Sequence, residues 1–294
     1  MTMTALLLAA ALAFTREDAR ISYDTARVLV DECTPRDAGT VRGKIAANRL
    51  LDAASSAGAD ARLDRFEAET PKGVRTFHNV YAEFAVRQPS DWTVIVSHFD
   101  TKPGTKCPGA NDGASTSGLL VGIANMLSRW RTPTSNVMLV WTDGEECMES
   151  YSAKDGLWGA KRAVREVQRR GYRVKAVICL DMLGDRDLQI MIPRNSSPAL
   201  AKIAFFAAEQ AGEKGLVKQS DELVKDDHVP FLEAGMKAID LIDFEYGSAP
   251  GKNDYWHSPA DTMDKVSERS LLKSGKVVAE MLNVLFARND DAMR

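Results

Sequence analysis

The sequence predicts an α/β protein: one domain of three layers, with a doubly wound, mostly parallel or mixed β-sheet and helices on both faces. From about residue 75 onward, apolar runs rich in Val, Ile and Leu alternate with helical patterns, as β-α-β crossovers require. Several of these runs are almost continuously apolar, which is typical of strands that are covered on both faces.

The elements can be assigned in chain order. Two helices are expected first, in TARVLVDECTP and AANRLLDAASSAGA. Strands are predicted at 77–86, 91–98, 135–142, 174–181, 188–192 and 236–243. Helical patterns cover 115–130, 157–170, 198–211 and 267–287. Because no repeat or linker interrupts this order, residues 15–294 are predicted to form a single domain.

Composition excludes some classes of function. The 294 residues include 38 Lys and Arg and 41 Asp and Glu, a formal net charge of −3. This balance does not favour binding to nucleic acid or to a membrane surface. The four cysteines, Cys33, Cys107, Cys147 and Cys179, form no CxxC pair, so a thiolate zinc site is not expected. Cys179 is expected to be a buried small hydrophobe, whereas pairing of the other three stays open.

The N-terminal stretch ALLLAAALAF has the length of a signal-peptide core, and Ala11-Leu12-Ala13 has the form of a cleavage site. No basic residue precedes it, and it is too short to span a bilayer. Residues 1–14 are therefore interpreted as a signal segment, which predicts a periplasmic or secreted protein. The alternative is an apolar helix start in a cytoplasmic protein.

Polar side chains follow the predicted strands at their carboxyl ends, where ligand sites of such sheets lie. His98 and Asp100 follow one strand, Glu145 and Glu146 follow another, and Asp181 ends a third. The glycine-rich loop PGANDGAS carries Asp112, and the late segment YWHSPADT carries His257.

Imidazole and carboxylate groups without thiolate are typical of a catalytic zinc site. Glu145 and Glu146 would repel each other unless a cation lies beside them, so we expect one to bind metal and the other to move protons. Taken singly, each residue is explained as a cap, a turn or a surface charge. A purely structural ion-pair cluster would need Arg, which these segments lack. The ordered set therefore favours a metal centre.

These residues resemble the M28 zinc-exopeptidase family, from about residue 70 to the end. That family contains di-zinc aminopeptidases and animal-type glutaminyl cyclases. Three segments are similar to the cyclase branch: ETPKGVRTFHNV, DGEECMESYSAKDGLWGAKRAV and DDHVPFLEAG. The sequence departs from that branch at Tyr151, where the cyclases carry Trp, and at Asp240, where the animal enzymes carry His. The segment YWHSPADT is as similar to the aminopeptidase form as it is to the cyclase form.

The cyclase resemblance implies conversion of N-terminal Gln in peptides or proteins to pyroglutamate. It implies one zinc held by Asp112, Glu146 and His257, with Glu145 transferring the proton. Asp181 and Asp226 would bind the developing charge or the leaving group, and Trp256 and Tyr151 would line the pocket. His98 and Asp100 would support the ligands.

The aminopeptidase alternative implies two zincs, with His98 and Asp181 holding the second and Asp112 bridging. Glu145 would then act on a water, and Asp226 and His228 would be structural. A non-catalytic relative and a serine hydrolase are disfavoured, since no expected ligand is missing and no GxSxG sequence is present. The oligomeric state stays open.

Overall fold

The computed structural model describes residues 11–86, 91–131 and 133–287. The helices are α1 (Arg16–Cys33), α2 (Val41–Ser56), α3 (Thr116–Ser128), α4 (Trp158–Arg169), α5 (Pro198–Gln210), α6 (His228–Glu233) and α7 (Glu268–Ala287). The strands are β1 (Asp60–Thr70), β2 (Gly73–Phe84), β3 (Trp92–His98), β4 (Asn136–Thr142), β5 (Val174–Asp181), β6 (Ile190–Ile192), β7 (Val217–Gln219) and β8 (Ala238–Ile242). An irregular turn, Ala110–Ser115, leads into α3.

The described strands form one sheet in the order β1-β2-β4-β3-β5-β8-β6-β7. Its centre, β4-β3-β5-β8, is parallel, so the carboxyl ends of these strands meet at one edge. The outer strands β2 and β6 run antiparallel to their inner neighbours β4 and β8. The predicted mixed α/β sheet is therefore confirmed.

Helices cover both faces of the sheet, because each strand of the centre buries side chains on both sides. The larger core cluster includes buried residues of α1, α2, α3, α5 and α7. The smaller cluster lies on the opposite face and includes buried residues of α4 and α6. This is the three-layer arrangement that the sequence predicts.

Two strands were absent from the sequence prediction. β1 reads DARLDRFEAET and lies at the edge of the sheet, where it pairs with β2 through the tight turn at Pro71 and Lys72. An edge strand is partly exposed to solvent, so it tolerates many charged side chains. These charges obscure the apolar pattern from which a strand would be predicted. β7 has three residues, too short for a periodic pattern.

The end of the predicted signal segment belongs to the core. Leu12 and Phe14 are buried, and the Leu12 backbone exchanges two hydrogen bonds with the Asn283 side chain of α7. The rest of that segment, residues 1–10, lies outside the described residues. The four cysteines are free and buried, including Cys179 as expected. Within the described ranges, no helix is both long and apolar enough to cross a membrane.

Candidate metal centre and active site

The carboxyl edge of the sheet brings the predicted ligands together. Asp112, Glu146 and His257 offer one ligand atom each, and these atoms lie within 4.8 Å of one another. His257 Nε2 lies 2.6 Å from Glu146 Oε1 and 3.3 Å from Asp112 Oδ2. Burial would lower the pKa of His257, but the two carboxylates overcome this and raise it to about 9. The three side chains therefore surround a position suited to a cation.

A second triad shares Asp112 with the first. His98 Nε2 lies 3.2 Å from Asp112 Oδ1 and 3.1 Å from Asp181 Oδ1. His98 Nδ1 lies 3.2 Å from the Asp100 carbonyl oxygen, which can only accept, so Nδ1 carries a proton. Nε2 of the neutral ring is then free to bind a metal. Burial raises the pKa of Asp181 to about 7, although His98 acts in the opposite direction.

The loop before α3 approaches β3 closely. Gly113 has a φ of 90°, and a Cβ atom there would lie 3.0 Å from both the Asp100 carbonyl oxygen and a carbon of the His98 ring. Only glycine meets both conditions without strain. The glycine of PGANDGAS thereby lets Asp112 reach the strand end that carries His98.

Asp100 holds the turn that carries the adjacent glutamates. Its buried carboxylate accepts hydrogen bonds from the backbone N–H groups of Gly144, Glu145 and Glu146, at 2.9, 3.0 and 3.2 Å. Such charge-assisted bonds are stronger than neutral ones. Asp100 therefore holds the backbone of both glutamates in place.

Glu145 belongs to neither triad and faces Tyr151. The Tyr151 hydroxyl lies 2.9 and 3.1 Å from the two carboxylate oxygens of Glu145. Burial, followed by repulsion from Glu146, raises the pKa of Glu145 well above its usual value. A carboxyl group with a raised pKa that is held by one donor is suited to proton transfer near neutral pH.

Lys102 is a member of this centre that the sequence analysis did not identify. Its Nζ lies 3.2 Å from Glu146 Oε2 and 3.0 Å from Cys147 Sγ. It comes two residues after Asp100 in SHFDTK, so its position beyond a strand end was the available signal. A cation at this point offsets part of the negative charge of the carboxylates.

A cavity of about 710 Å³ opens onto these groups. Its inner wall includes Glu145, Asp181 and Asp226 together with the first triad. Trp256 and Tyr151 line it as well, and Trp256 stacks on the His257 ring with centroids 3.8 Å apart. Trp256 thus lines the cavity and also supports the His257 loop, the two roles that sequence alone could not separate.

Asp226 comes from the loop before α6 and is almost fully buried. One of its carboxylate oxygens has no hydrogen-bond partner among the described residues, and neither has either oxygen of Asp240 behind it. Burial, followed by repulsion from Asp226, raises the pKa of Asp240 well above its usual value. Asp240 therefore holds its proton more tightly than an exposed carboxyl group does.

His228 lies away from the two triads. Its Nδ1 is 3.7 Å from Asp240 Oδ2, and Asn195 Nδ2 donates to its Nε2 at 2.9 Å. His228 therefore packs behind the cavity wall rather than in it.

Comparison with known proteins identifies the family of the chain. The model of peptidase family M28 matches residues 79–282. Glutaminyl-peptide cyclotransferase from Drosophila melanogaster is 25% identical, over 77% of this chain and 70% of the relative. The crystal structure of Acidobacteriales bacterium glutaminyl cyclase superimposes with a TM-score of 0.87 at 29% identity, over 98% of this chain and 100% of that one.

An aminopeptidase has a similar fold. A leucine aminopeptidase precursor from Bacteroides thetaiotaomicron superimposes with a TM-score of 0.79 at 22% identity, over 94% of this chain and 98% of the other. At this identity the likeness concerns the fold alone.

Proposed function

The chain belongs to peptidase family M28, a family of enzymes, and within it we propose that this protein is a zinc-dependent glutaminyl-peptide cyclotransferase. It would act on peptides or proteins with a free N-terminal Gln. The α-amine nitrogen bonds to the side-chain carbonyl carbon, the bond from that carbon to its amide nitrogen breaks, and pyroglutamate and ammonia result.

The observation that carries the proposal is the position of Asp226. It lies in the cavity wall with Glu145 and Asp181 and outside the two triads that share Asp112, although it forms a third group of metal-ligand side chains with Cys179 and Asp240. A cyclase needs hydrogen-bonding groups for a charged leaving nitrogen and a developing oxyanion. The relatives named as glutaminyl cyclases support the same reaction.

The residues fit zinc. Two carboxylates and an imidazole with no thiolate form a donor set of the catalytic type. Asp112 Oδ2 and Glu146 Oε2 are buried and accept no well-aligned hydrogen bond among the described residues; each has only an ion-pair contact, with His257 at 3.3 Å and with Lys102 at 3.2 Å. A metal ion would give both oxygens a further partner. Asp112, Glu146 and His257 would hold the ion. When bound, zinc supplies a Lewis acid for the carbonyl oxygen of the glutamine side chain.

Glu145 moves the proton. It accepts one from the substrate amine as the ring closes and returns it to the departing nitrogen, so no water is consumed. Because nucleophile and electrophile belong to one residue, the protein has only to hold the glutamine side chain in its folded conformation. Tyr151 keeps the Glu145 carboxylate in place through its hydroxyl.

Asp181 and Asp226 stabilise the charge that develops across the cavity. A carboxyl group must be protonated to donate a hydrogen bond, and burial raises the pKa of Asp181 to about 7. Trp256 supplies an apolar wall for the methylene groups of the glutamine side chain, and Tyr151 lies on the same cavity.

One observation favours the alternative of a di-zinc aminopeptidase. His98, Asp112 and Asp181 form a second ligand group whose atoms also lie within 4.8 Å of one another. With both positions filled, Glu145 would act as base toward a water molecule, and N-terminal residues would be hydrolysed from peptides.

We further propose that the described residues form one catalytic domain and that the protein works in the periplasm or outside the cell. The apolar stretch ALLLAAALAF supports export. Leu12 and Phe14 are buried in the core, however, so removal of residues 1–14 would take two core side chains from the fold.

The variant Asp226→Ala tests the branch. A cyclase should lose roughly 100- to 1000-fold in kcat, as expected for removal of one charge-stabilising group. An aminopeptidase should keep most of its activity. Asp221→Ala, an exposed carboxylate in the same loop, is the matched control and should behave like the wild type in either case. Cyclisation that survives Asp226→Ala would remove the observation on which the proposal depends.

A further inference from the structure

Arg36 is a fully buried cation whose hydrogen bonds go to backbone carbonyl groups. It lies between α1 and α2, before the residues that the family model matches. Its guanidinium group donates to the carbonyls of Phe99, Pro108 and Gly109, and more weakly to that of Asp112 at 3.4 Å. Burying a charge is costly, so a group held this way must stabilise the segment that it binds.

The segment in question is the loop that delivers the shared metal ligand. Three of the four carbonyls lie within residues 108–112, and the fourth directly follows β3. Gly109 has a φ of 65°, and a Cβ atom there would lie 2.7 Å from Arg36 Nη2 and 2.7 Å from the Asp112 carbonyl oxygen. The loop is therefore wrapped closely around the guanidinium group.

Asp261 holds the other side of the same peptide segment. Its carboxylate accepts hydrogen bonds from the backbone N–H groups of Asn111 at 2.7 Å and Asp112 at 3.1 Å, and from the Tyr246 hydroxyl at 2.6 Å. Asp261 lies four residues after His257 in the same loop. The Asp112 loop and the His257 loop are thus joined through one buried carboxylate.

We propose that Arg36 and Asp261 are positioning residues that hold Asp112 and His257 at the spacing a metal requires, and so set the affinity for zinc. Arg36 holds the carbonyl side of the Asp112 segment and Asp261 holds its N–H side. Neither touches the substrate. Ligands that are fixed before the ion arrives lose less entropy on binding it, and outer partners of this kind typically change metal affinity 10- to 100-fold.

The inference rests on the proposed function only in requiring a metal at Asp112, Glu146 and His257. It holds equally for a cyclase and for an aminopeptidase. It adds that the metal centre depends on the N-terminal segment, although its ligands all come from later in the chain.

The test compares Arg36→Gln, Arg36→Lys and Asp261→Asn with the control Asp18→Asn. Asp18 is also buried and also pairs with an arginine, Arg129, but it joins α1 to α3. Zinc affinity is measured by competition with a chromogenic chelator, thermal stability is measured on the metal-free proteins, and turnover is followed against free zinc. The last readout separates an effect on metal binding from a general loss of structure.

We expect Arg36→Gln and Asp261→Asn to weaken zinc binding by about 10- to 100-fold. The zinc affinity of Arg36→Lys should lie between those of the wild type and Arg36→Gln. Their turnover should recover at high free zinc. Asp18→Asn should lower the thermal midpoint while leaving zinc affinity within about twofold of the wild type. Folded Arg36→Gln with wild-type zinc affinity would overturn the inference. If that variant does not fold, wild-type affinity in both Arg36→Lys and Asp261→Asn would overturn it.

The wild-type titration separates this inference from the proposed function. A wild-type protein that binds no zinc contradicts both. One that binds zinc but does not cyclise glutamine contradicts only the cyclase reaction, and the variants then decide the role of Arg36 by their affinities alone.

Discussion

Replacing Tyr151 by Phe removes one hydroxyl group from the candidate active site and leaves the ring. The hydroxyl lies 2.9 and 3.1 Å from the two oxygens of Glu145, and both side chains line the cavity. The ring is held from behind, because a Cβ atom at Gly156 would lie 2.6 Å from it, so Phe should occupy the same position. The substitution therefore isolates the hydrogen bond.

The lost bond joins a hydroxyl to a charged carboxylate, and such a bond contributes about 1.5–3 kcal/mol. Because it stabilises the ionised form, its loss should raise the pKa of Glu145 further. Less of the enzyme then holds Glu145 as a base at neutral pH, and its carboxylate is less well oriented. The two effects together predict a fall in kcat/KM of roughly 10- to 150-fold at pH 7.

The assay is the pH dependence of kcat/KM with a zinc-loaded enzyme. Its acidic limb should move to higher pH in Tyr151→Phe, since the proton is held more tightly, and activity should partly recover under alkaline conditions. Tyr172→Phe is the matched control, because that hydroxyl contacts Glu83 far from the cavity. An acidic limb that stays in place or moves to lower pH would refute the assignment of Glu145 as the base that Tyr151 holds.

Three further predictions concern other parts of the molecule. Glu145→Gln should abolish turnover while elemental analysis still finds zinc, since Glu145 belongs to neither ligand group. Burial opposes ionisation of Asp18, but Arg129 and the helix-cap bonds overcome this and lower its pKa. The stabilisation is present above the unfolded pKa of about 3.9 and is lost as pH falls through the folded value, so urea titrations should show wild type and Asp18→Asn converging below pH 4. Phe14→Ala should cost about 3–5 kcal/mol in urea unfolding, because Phe14 fills the space over Gly275.

The parallel centre of the sheet could be predicted from the sequence because strands buried on both faces must be apolar throughout. Thus 174–181 matches β5 residue for residue, and the predicted 135–142 contains β4. β1 could not be predicted from the sequence, because its half-exposed edge position permits four charged residues within one strand: Arg62, Asp64, Arg65 and Glu67. Burial on one face leaves a weaker pattern than burial on two.

The candidate site was easier to predict from the sequence than the edge strands. Its ligands follow the ends of neighbouring parallel strands, and this position predicts that their side chains meet at one edge of the sheet. Arg36 and Asp261 were not identified, since both act through backbone groups that any residue supplies. Lys102 and Tyr151 lie within segments that the sequence analysis assigned to the site. The partners of their side chains depend on side-chain directions that only the tertiary structure determines.

The proposal that this protein is a glutaminyl cyclase is best tested on the zinc-loaded wild-type protein. Two peptides are compared that differ only in their first residue, Gln or Leu. Mass spectrometry follows both reactions at neutral pH. We expect the Gln peptide to lose ammonia and the Leu peptide to stay intact, as a glutaminyl cyclase requires. Release of free Leu without loss of ammonia from the Gln peptide would contradict the account and identify the di-zinc aminopeptidase instead.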